Sequence, residues 1–569
     1  MPDPPSEQAS SLAAEAGIPL VGAALMLQRG CRTADEVREF LEPSPARLNK
    51  PDSLPDIGPA TDRILAAIEK GQRICVYGDY DVDGVCGTAL LTVALRGLGA
   101  DVIHYLPHRR SEGYGLSLDG VEHCRQHKVC LLVTNDCGST DHAEVDAARE
   151  AGIDVVITDH HQPPAELPPA LAVVNPKRPD SEYPFPELAG VGVAFKLVWS
   201  LLSRLGRPRQ ELTDLLDLVG LGTIADVVPL IDENRILARF GLEAIRSSRR
   251  PGLRALCDKC GISDRPLRSY DVGYVLGPRL NAAGRVSHAH DAARLLLSED
   301  QEESARLATR LDRLNRERQV LEEKTMAQAV QLIEPPGLHK QRVVVVARPG
   351  WNEGVIGIVA ARLVERYHRP CFVIALTRDR GRGSGRSVSG FDLYASLKTC
   401  SSHLLGFGGH KYAAGLTISK DEVDTFRSAI NAVAADVPED VFRRTLDIDV
   451  VADLDAVEPG LVCLLSTLEP FGPGNSRPVF ASLGVGIVGY PRRFGTNHLK
   501  FNVRAGTEIL EAVAWKRSHD LPDMQPDCPE ALDICYTVER STFRSRTTTR
   551  LSIRDMRTHQ GTSAGEPAD

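Results

Sequence analysis

The apolar run 74–77 empties into Asp79, Asp81 and Asp83, three carboxylates at alternate positions, followed by Gly84. Acids so close together repel one another and are costly to fix in a fold unless something positive sits among them. A divalent metal ion meets that need. The design returns twice: the run 131–134 ends in Asn135-Asp136-Cys137-Gly138, and the run 155–158 ends in Asp159-His160-His161. Asp226 closes the apolar stretch 215–224; a lone aspartate there reads as a helix cap unless the fold carries it to the same place. Asp81, Asp83, Asp136, His160 and Asp226 therefore make a candidate ligand set of four carboxylates and one imidazole. Hard oxygen donors with a single nitrogen favour Mg²⁺ or Mn²⁺ over a zinc site built on sulfur. Two such ions ~3.5–4 Å apart activate a water and steady both oxygens of a displacement at phosphorus, so phosphoester hydrolysis is the expected reaction class.

Positioning these groups is the task of the surrounding elements. From Asp62 onward short apolar strands alternate with helical stretches at 89–98, 121–126 and 143–151, which predicts right-handed βαβ units and a doubly wound parallel sheet. The carboxyl ends of parallel strands share one edge, where such sheets place ligands. The strand carrying Asp136 should lie centrally, making Asp136 the natural bridge. The strand 102–106 puts Arg109 and Arg110 on the same edge, where an arginine clamps a phosphate bidentately. A mostly helical portion runs from 190 to about 297. Residues 298–333 hold no glycine or proline, and read as one long helix spanning on the order of 50 Å, enough to hold two domains at a fixed separation. A second α/β unit follows, with a Gly/Arg/Ser-rich loop at 380–387 suited to phosphate; Gly406-Phe407-Gly408-Gly409-His410 could complete the same pocket.

Beyond about Thr445 short strands with basic and aromatic residues interleaved suggest a small barrel of the oligonucleotide-binding type. At the other end, Thr33 with Glu36 three residues on announces a capped helix. The expected division is 1–55, an amino-terminal helical extension; 56–297, the catalytic domain; 298–335, the connecting helix; 336–444, the associated domain; 445–557, the nucleic-acid-binding barrel; and 558–569, a disordered tail.

A chain of 569 residues is too long for a single core. No apolar run approaches the ~18 residues that span a bilayer, and the start lacks a basic, signal-like segment, so a cytoplasmic protein without a membrane is expected. Thirteen scattered cysteines suggest reduced thiols; Cys257 and Cys260 have no second pair at zinc spacing. A net charge of -9 excludes a generally basic coat but not local tracks, and arginines cluster at 109–110, 378–386, 492–493 and 540–557.

Taken in order, Asp81-x-Asp83-Gly84, Asn135-Asp136-x-Gly138, Asp159-His160-His161 and Gly222-Thr223-x-Ala225-Asp226 resemble the four motifs of the DHH phosphoesterase superfamily. Within it, the stretches 78–84, 277–285, Gly385-Arg386-Ser387 and Phe407-Gly408-Gly409-His410 are similar to the RecJ family of single-strand-specific DNA exonucleases, over nearly the whole chain. The resemblance implies 5′→3′ removal of mononucleotides from single-stranded DNA with two Mn²⁺ or Mg²⁺ ions, in recombination and repair. It implies Asp81 and Asp136 on one ion, and Asp83, Asp136, His160 and Asp226 on the other. Asp79 and Asp159 would support these ligands, and His161 would meet the scissile phosphate. Arg109, Arg279, Asn281 and Arg285 would bind the 5′ end, while Arg386, Ser387, Gly409 and His410 grip the backbone. It further implies a monomer working with a single-stranded-DNA-binding protein and a RecQ-type helicase. Asn352 departs from the family pattern, which carries histidine there. Two other readings stay open: a phosphodiesterase of short oligonucleotides or cyclic dinucleotides, and a non-catalytic DNA-binding replication scaffold.

Overall fold

The computed structural model describes residues 6–109, 111–495, 497–505, 508–517, 531–543 and 546–559. Arg110, Arg544 and most of the expected tail lie outside these. The chain divides into two units, Asn49–Val228 with Phe240–Thr445, and Met1–Leu48 with Pro229–Arg239 and Leu446–Asp569.

In the larger unit, β1 (Ile74–Gly78), β2 (Val102–Tyr105), β3 (Leu131–Asn135), β4 (Asp154–Thr158) and β5 (Ala172–Val174) pair in parallel in the order β2-β1-β3-β4-β5. Every residue of β1 and β3 is buried, as expected when helices cover both faces of a parallel sheet. This is the doubly wound sheet that the alternation predicts, with β3 between β1 and β4. The helix Gln301–Ile333 follows, capped by the Asp300 carboxylate accepting from the Glu303 N–H. It is tied along its length by buried charge. Arg279 reaches Asp312 at 3.0 Å, and the almost fully buried Glu322 takes Arg318 and Arg362, each at 2.6 Å. A buried carboxylate is costly without cationic partners, so Glu322 ties this helix to the helix Glu353–Tyr367, which carries Arg362.

The second sheet has β6 (Val344–Pro349), β7 (Cys371–Leu376), β8 (Arg380–Arg386), β9 (Gly406–Gly409) and β10 (Ala413–Ser419) in the order β6-β7-β8-β10-β9. Here the structure corrects the sequence reading, because 380–386 is a central strand and not a loop. Its glycines alternate with arginines and serine at the two-residue period of a strand. One face is left bare for the neighbours: a Cβ built on Gly381, Gly383 or Gly385 would fall 2.6, 2.7 or 2.4 Å from Ile374, Leu416 or Phe372.

The smaller unit joins what the sequence reading keeps as two separate pieces. In the structure the helices Glu7–Ala16, Leu20–Gln28 and Ala34–Leu41 share one core with β11 (Val450–Val451), β12 (Phe480–Val485), β13 (Ile487–Phe494), β14 (His498–Ala505), β15 (Glu508–Ala514), β16 (Leu532–Phe543) and β17 (Arg546–Thr558). Of the short strands expected beyond about Thr445 the first, β11, has only two residues, and a helix, Pro459–Thr467, stands among them. Buried Arg235 pins the unit. Its guanidinium donates to the Leu468 and Thr467 carbonyls at 2.7 and 3.0 Å and lies over the Phe40 ring. The Thr33–Glu36 capping box forms as expected. Among the described residues no single helix is long and apolar enough to cross a membrane.

Gly385→Val puts two methyl groups into the ring of Phe372, a fully buried side chain. Overpacking of this kind costs about 1–3 kcal/mol. Urea unfolding should give a midpoint lowered accordingly; an unchanged midpoint would contradict the strand assignment.

Candidate active site

The ends of β1, β3 and β4 deliver the acids side by side. Asp81 caps the helix Val82–Gly97, its Oδ1 accepting from the Asp83 and Gly84 N–H groups at 2.9 and 3.1 Å. Asp83 faces the amino terminus of the helix Gly190–Arg204 and accepts from the Gly190 and Val191 N–H groups at 2.6 and 2.9 Å. A helix amino terminus favours an anion there. Asp136 follows β3 with φ +63, a left-handed conformation that aspartate visits more readily than most residues. A Cβ on Gly190 would lie 2.8 Å from that of Asp136, so only glycine lets this helix approach. Asp226 ends the helix Leu216–Ala225, where a carboxylate adds to the negative end of the dipole and is unfavourable by itself.

These groups converge. Three sets, Asp79/Asp81/Asp136, Asp83/His160/Asp226 and Asp136/His160/His161, each bring one ligand atom per residue to within 4.8 Å of one another. His160 Nε2 lies 3.1 Å from Asp136, 3.6 Å from Asp226 and 3.9 Å from Asp83. The set is supported from behind. Asp159 accepts from the His160 and Ser139 N–H groups and pairs with His161 Nδ1 at 2.8 Å. The Tyr114 hydroxyl, which sequence reasoning did not single out, donates to the Asp136 carbonyl at 2.9 Å and sits as close to His161.

The electrostatics call for a cation. Burial, then the neighbouring Asp81, raises the Asp83 carboxyl to about 7. Burial and the surrounding carboxylates hold Asp79, Asp136 and Asp226 well above the usual range. Burial, aided by His161, pushes His160 down to about 3, leaving a neutral imidazole. Against the burial that opposes it, the hydrogen bond with Asp159 raises His161 and lowers Asp159. Asp79 Oδ1 is buried without a hydrogen-bond partner, and Asp136 Oδ1 and His160 Nε2, 3.1 Å apart, lack hydrogen-bond geometry with each other. Buried polar atoms are normally satisfied, and carboxylate oxygens with a neutral imidazole suit hard divalent ions. The residues present fit the implied metals.

Beside this centre Arg109, Arg285 and Arg386 line a cavity of about 390 Å³ with Arg382, Ser384 and Phe407, against one acid, Glu353. Burial, then Arg109, Arg318 and Arg386, lowers Arg285 to about 9, as crowding of cations in one pocket requires. Other predicted site residues are placed differently. Arg279 is tied to Asp312 and to the Val275 carbonyl, and Asn281 lies half-buried on the same helix. The Ser387 hydroxyl donates to the Phe391 carbonyl, so Ser384 is the serine that lines the cavity. Gly409 has φ +134 and a built Cβ would be 2.4 Å from the Ala413 oxygen, so the backbone there requires glycine, while Gly406 and Gly408 line the pocket. His410 is exposed. Asn352 caps the helix Glu353–Tyr367 by accepting from the Gly354 N–H at 2.8 Å.

A carboxyl raised above its unfolded value contributes stability at low pH that is lost as pH rises through the folded value. Metal-free protein should therefore lose thermal stability between pH 3.8 and about 7, the ordinary and folded values for Asp83. Added divalent ion should abolish that loss; a melting temperature flat across this window without metal would contradict the electrostatic reading.

Three stretches match known domain families: residues 73–223 the DHH family, N-terminal domain, 340–436 the DHHA1 domain, and 448–555 the RecJ OB domain. The chain is 39% identical over 519 residues to the single-stranded-DNA-specific exonuclease RecJ of Bacillus subtilis (strain 168), covering 90% of this chain but 65% of that protein. It is 37% identical over 555 residues to RecJ of Dickeya dadantii (strain 3937), covering 93% and 94%. The crystal structure of RecJ in complex with Mn²⁺ from Thermus thermophilus superposes with a TM-score of 0.85 at 32% identity, over 98% of this chain and 79% of that one. With such identity sustained along nearly the full length of a relative, the chain belongs to the RecJ family of DHH phosphoesterases.

Proposed function

We propose that the chain is a single-stranded-DNA-specific exonuclease that hydrolyses phosphodiester bonds from the 5′ end and releases 5′-mononucleotides. The observation that carries this reading is the convergence of Asp79, Asp81, Asp83, Asp136, His160 and Asp226 beside an arginine-lined cavity. Two ions, Mn²⁺ or Mg²⁺, would be held by Asp81 with Asp136 and by Asp83, Asp136, His160 and Asp226. When bound they lower the pKa of a water and neutralise charge developing at phosphorus.

The chain's own residues do the rest. Asp83 is oriented by two backbone N–H groups and Asp136 by its strand end, so neither reorganises when substrate arrives. Asp159 fixes the His161 ring, which supplies a proton or hydrogen bond at the scissile phosphate. Arg109, Arg285 and Arg386 hold the terminal 5′ phosphate, setting the cut one nucleotide in. Residues 56–297 carry the chemistry, 336–444 the clamp and 445–557 the grip on the single strand. Partnership with a helicase and a single-stranded-DNA-binding protein, and residence in the cytoplasm, complete the proposal. An oligonucleotide or cyclic-dinucleotide phosphodiesterase would have no use for the OB unit, and a silent scaffold none for the full ligand set.

Single strands labelled at either end test this, with Mn²⁺ and Mg²⁺. Wild type should release labelled mononucleotide from the 5′ label at once, while Asp136→Ala should lose at least about 10³-fold in kcat. Endonucleolytic fragments, or equal rates for both proteins, would refute it. Arg386→Ala should raise KM about ten-fold for 5′-phosphorylated strands and leave 5′-hydroxyl strands nearly unaffected; equal losses on both would remove the arginine pocket from the account.

A further inference from the structure

Tyr270 and Tyr274 are 63% and 72% exposed, and their rings stack on each other with centroids 4.8 Å apart and planes 19° from parallel. Gly273 between them is open, with nothing within 4 Å of a built Cβ. Two large rings paired in water and left uncovered are unusual for a surface whose other face is packed, since Asp271, Val272 and Leu276 are buried beneath. The local backbone explains the pairing. A single π turn, Val272–Leu276, interrupts the helical run, and such turns concentrate at functional sites.

Position gives the pair its meaning. The helix Gly277–Val286 leads directly out of the π turn. Its first residue lies against the helix that ends at Asp226, a built Gly277 Cβ being 3.6 Å from Ala225. Its far end presents Arg285 to the arginine cavity, with Gly284 against the Tyr80 backbone. One helix of about 15 Å thus has the anion pocket at one end and the tyrosines at the other, with the acids alongside. Asp226 is itself followed by Val227, which is 65% exposed with φ +66, a strained conformation for a β-branched residue.

We propose that Tyr270 and Tyr274 form a stacking platform for nucleobases of the bound strand, on the 3′ side of the bond being cut. The inference rests on the exonuclease reading and adds to it the place where the strand leaves the acidic centre. Bases stack on tyrosine faces without regard to sequence. Arg265 and Arg268 are also exposed beside the pair, Arg265 being ion-paired to Asp271, and the strand's phosphates would pass over a basic rim.

The test uses full-length protein with Mn²⁺ and 5′-phosphorylated substrates: a dinucleotide, a long strand, and long strands with single abasic positions. For the long strand, Tyr270→Ala/Tyr274→Ala should raise KM about ten-fold or more, with kcat, melting temperature and dinucleotide hydrolysis unchanged. The Tyr→Phe pair should behave as wild type because the rings remain. In wild type, one window of abasic positions should raise KM, and the alanine variant should be indifferent to that window. Wild-type KM for the long strand in the alanine variant, or a loss shared by the dinucleotide and by every abasic strand, would overturn the platform while leaving the exonuclease reading intact. That reading fails separately, if wild type cuts none of these substrates.

Discussion

Repulsion among buried carboxylates is the constraint on which this structure turns. Asp79, Asp83 and Asp136 are essentially removed from solvent, and folding must hold them within a few ångströms of Asp81 and Asp226, with the imidazoles of His160 and His161 the basic groups that reach them among the described residues. Backbone N–H groups and helix termini offset part of the cost, as at Asp81 and Asp83. They do not offset it all, which is why burial and mutual repulsion hold the carboxyls of Asp79, Asp83, Asp136 and Asp226 above their usual range. A fold that keeps such an arrangement is built around the cations that relieve it.

The rest of the larger unit follows from that centre. Parallel pairing puts the acids of β1, β3 and β4 at one sheet edge, and small residues such as Gly190 let a covering helix approach closely enough to present its amino terminus. The long helix then holds the second sheet so that Arg382, Ser384 and Arg386 of β8 face Arg109 and Arg285 across one cavity. Negative and positive sites are thereby adjacent but separate: carboxylates suited to divalent ions lie on one side, and an arginine-lined cavity suited to an anion on the other. The Arg318–Glu322–Arg362 bridge ties the two helices that flank that spacing.

Much of the centre was legible in the sequence because acids that directly follow apolar strands leave few alternatives. Asp136, His160 and the βαβ alternation could be read from local pattern alone. Asp226 reads locally as a cap and joins the ligand set only on the expectation that the fold carries it there, since its convergence with Asp83 depends on tertiary packing. The strand β8 was hidden by its composition: glycine weakens strand propensity, and only the period-2 alternation, RGRGSGR, carried the signal. The ion pair of Arg279 with Asp312, 33 residues away on another helix, leaves no trace in the local pattern that suggested Arg279 as a ligand of the 5′ end. The shared core of the amino-terminal helices and β11–β17 joins segments more than 400 residues apart, beyond the reach of any local rule.

The central claim is that two divalent cations occupy the carboxylate cluster. Anomalous diffraction at the manganese edge from crystals grown with Mn²⁺ measures this directly. The account predicts two peaks bridged by Asp136, one against Asp81 and one among Asp83, His160 and Asp226. A map with no peak within coordination distance of Asp136 would contradict it.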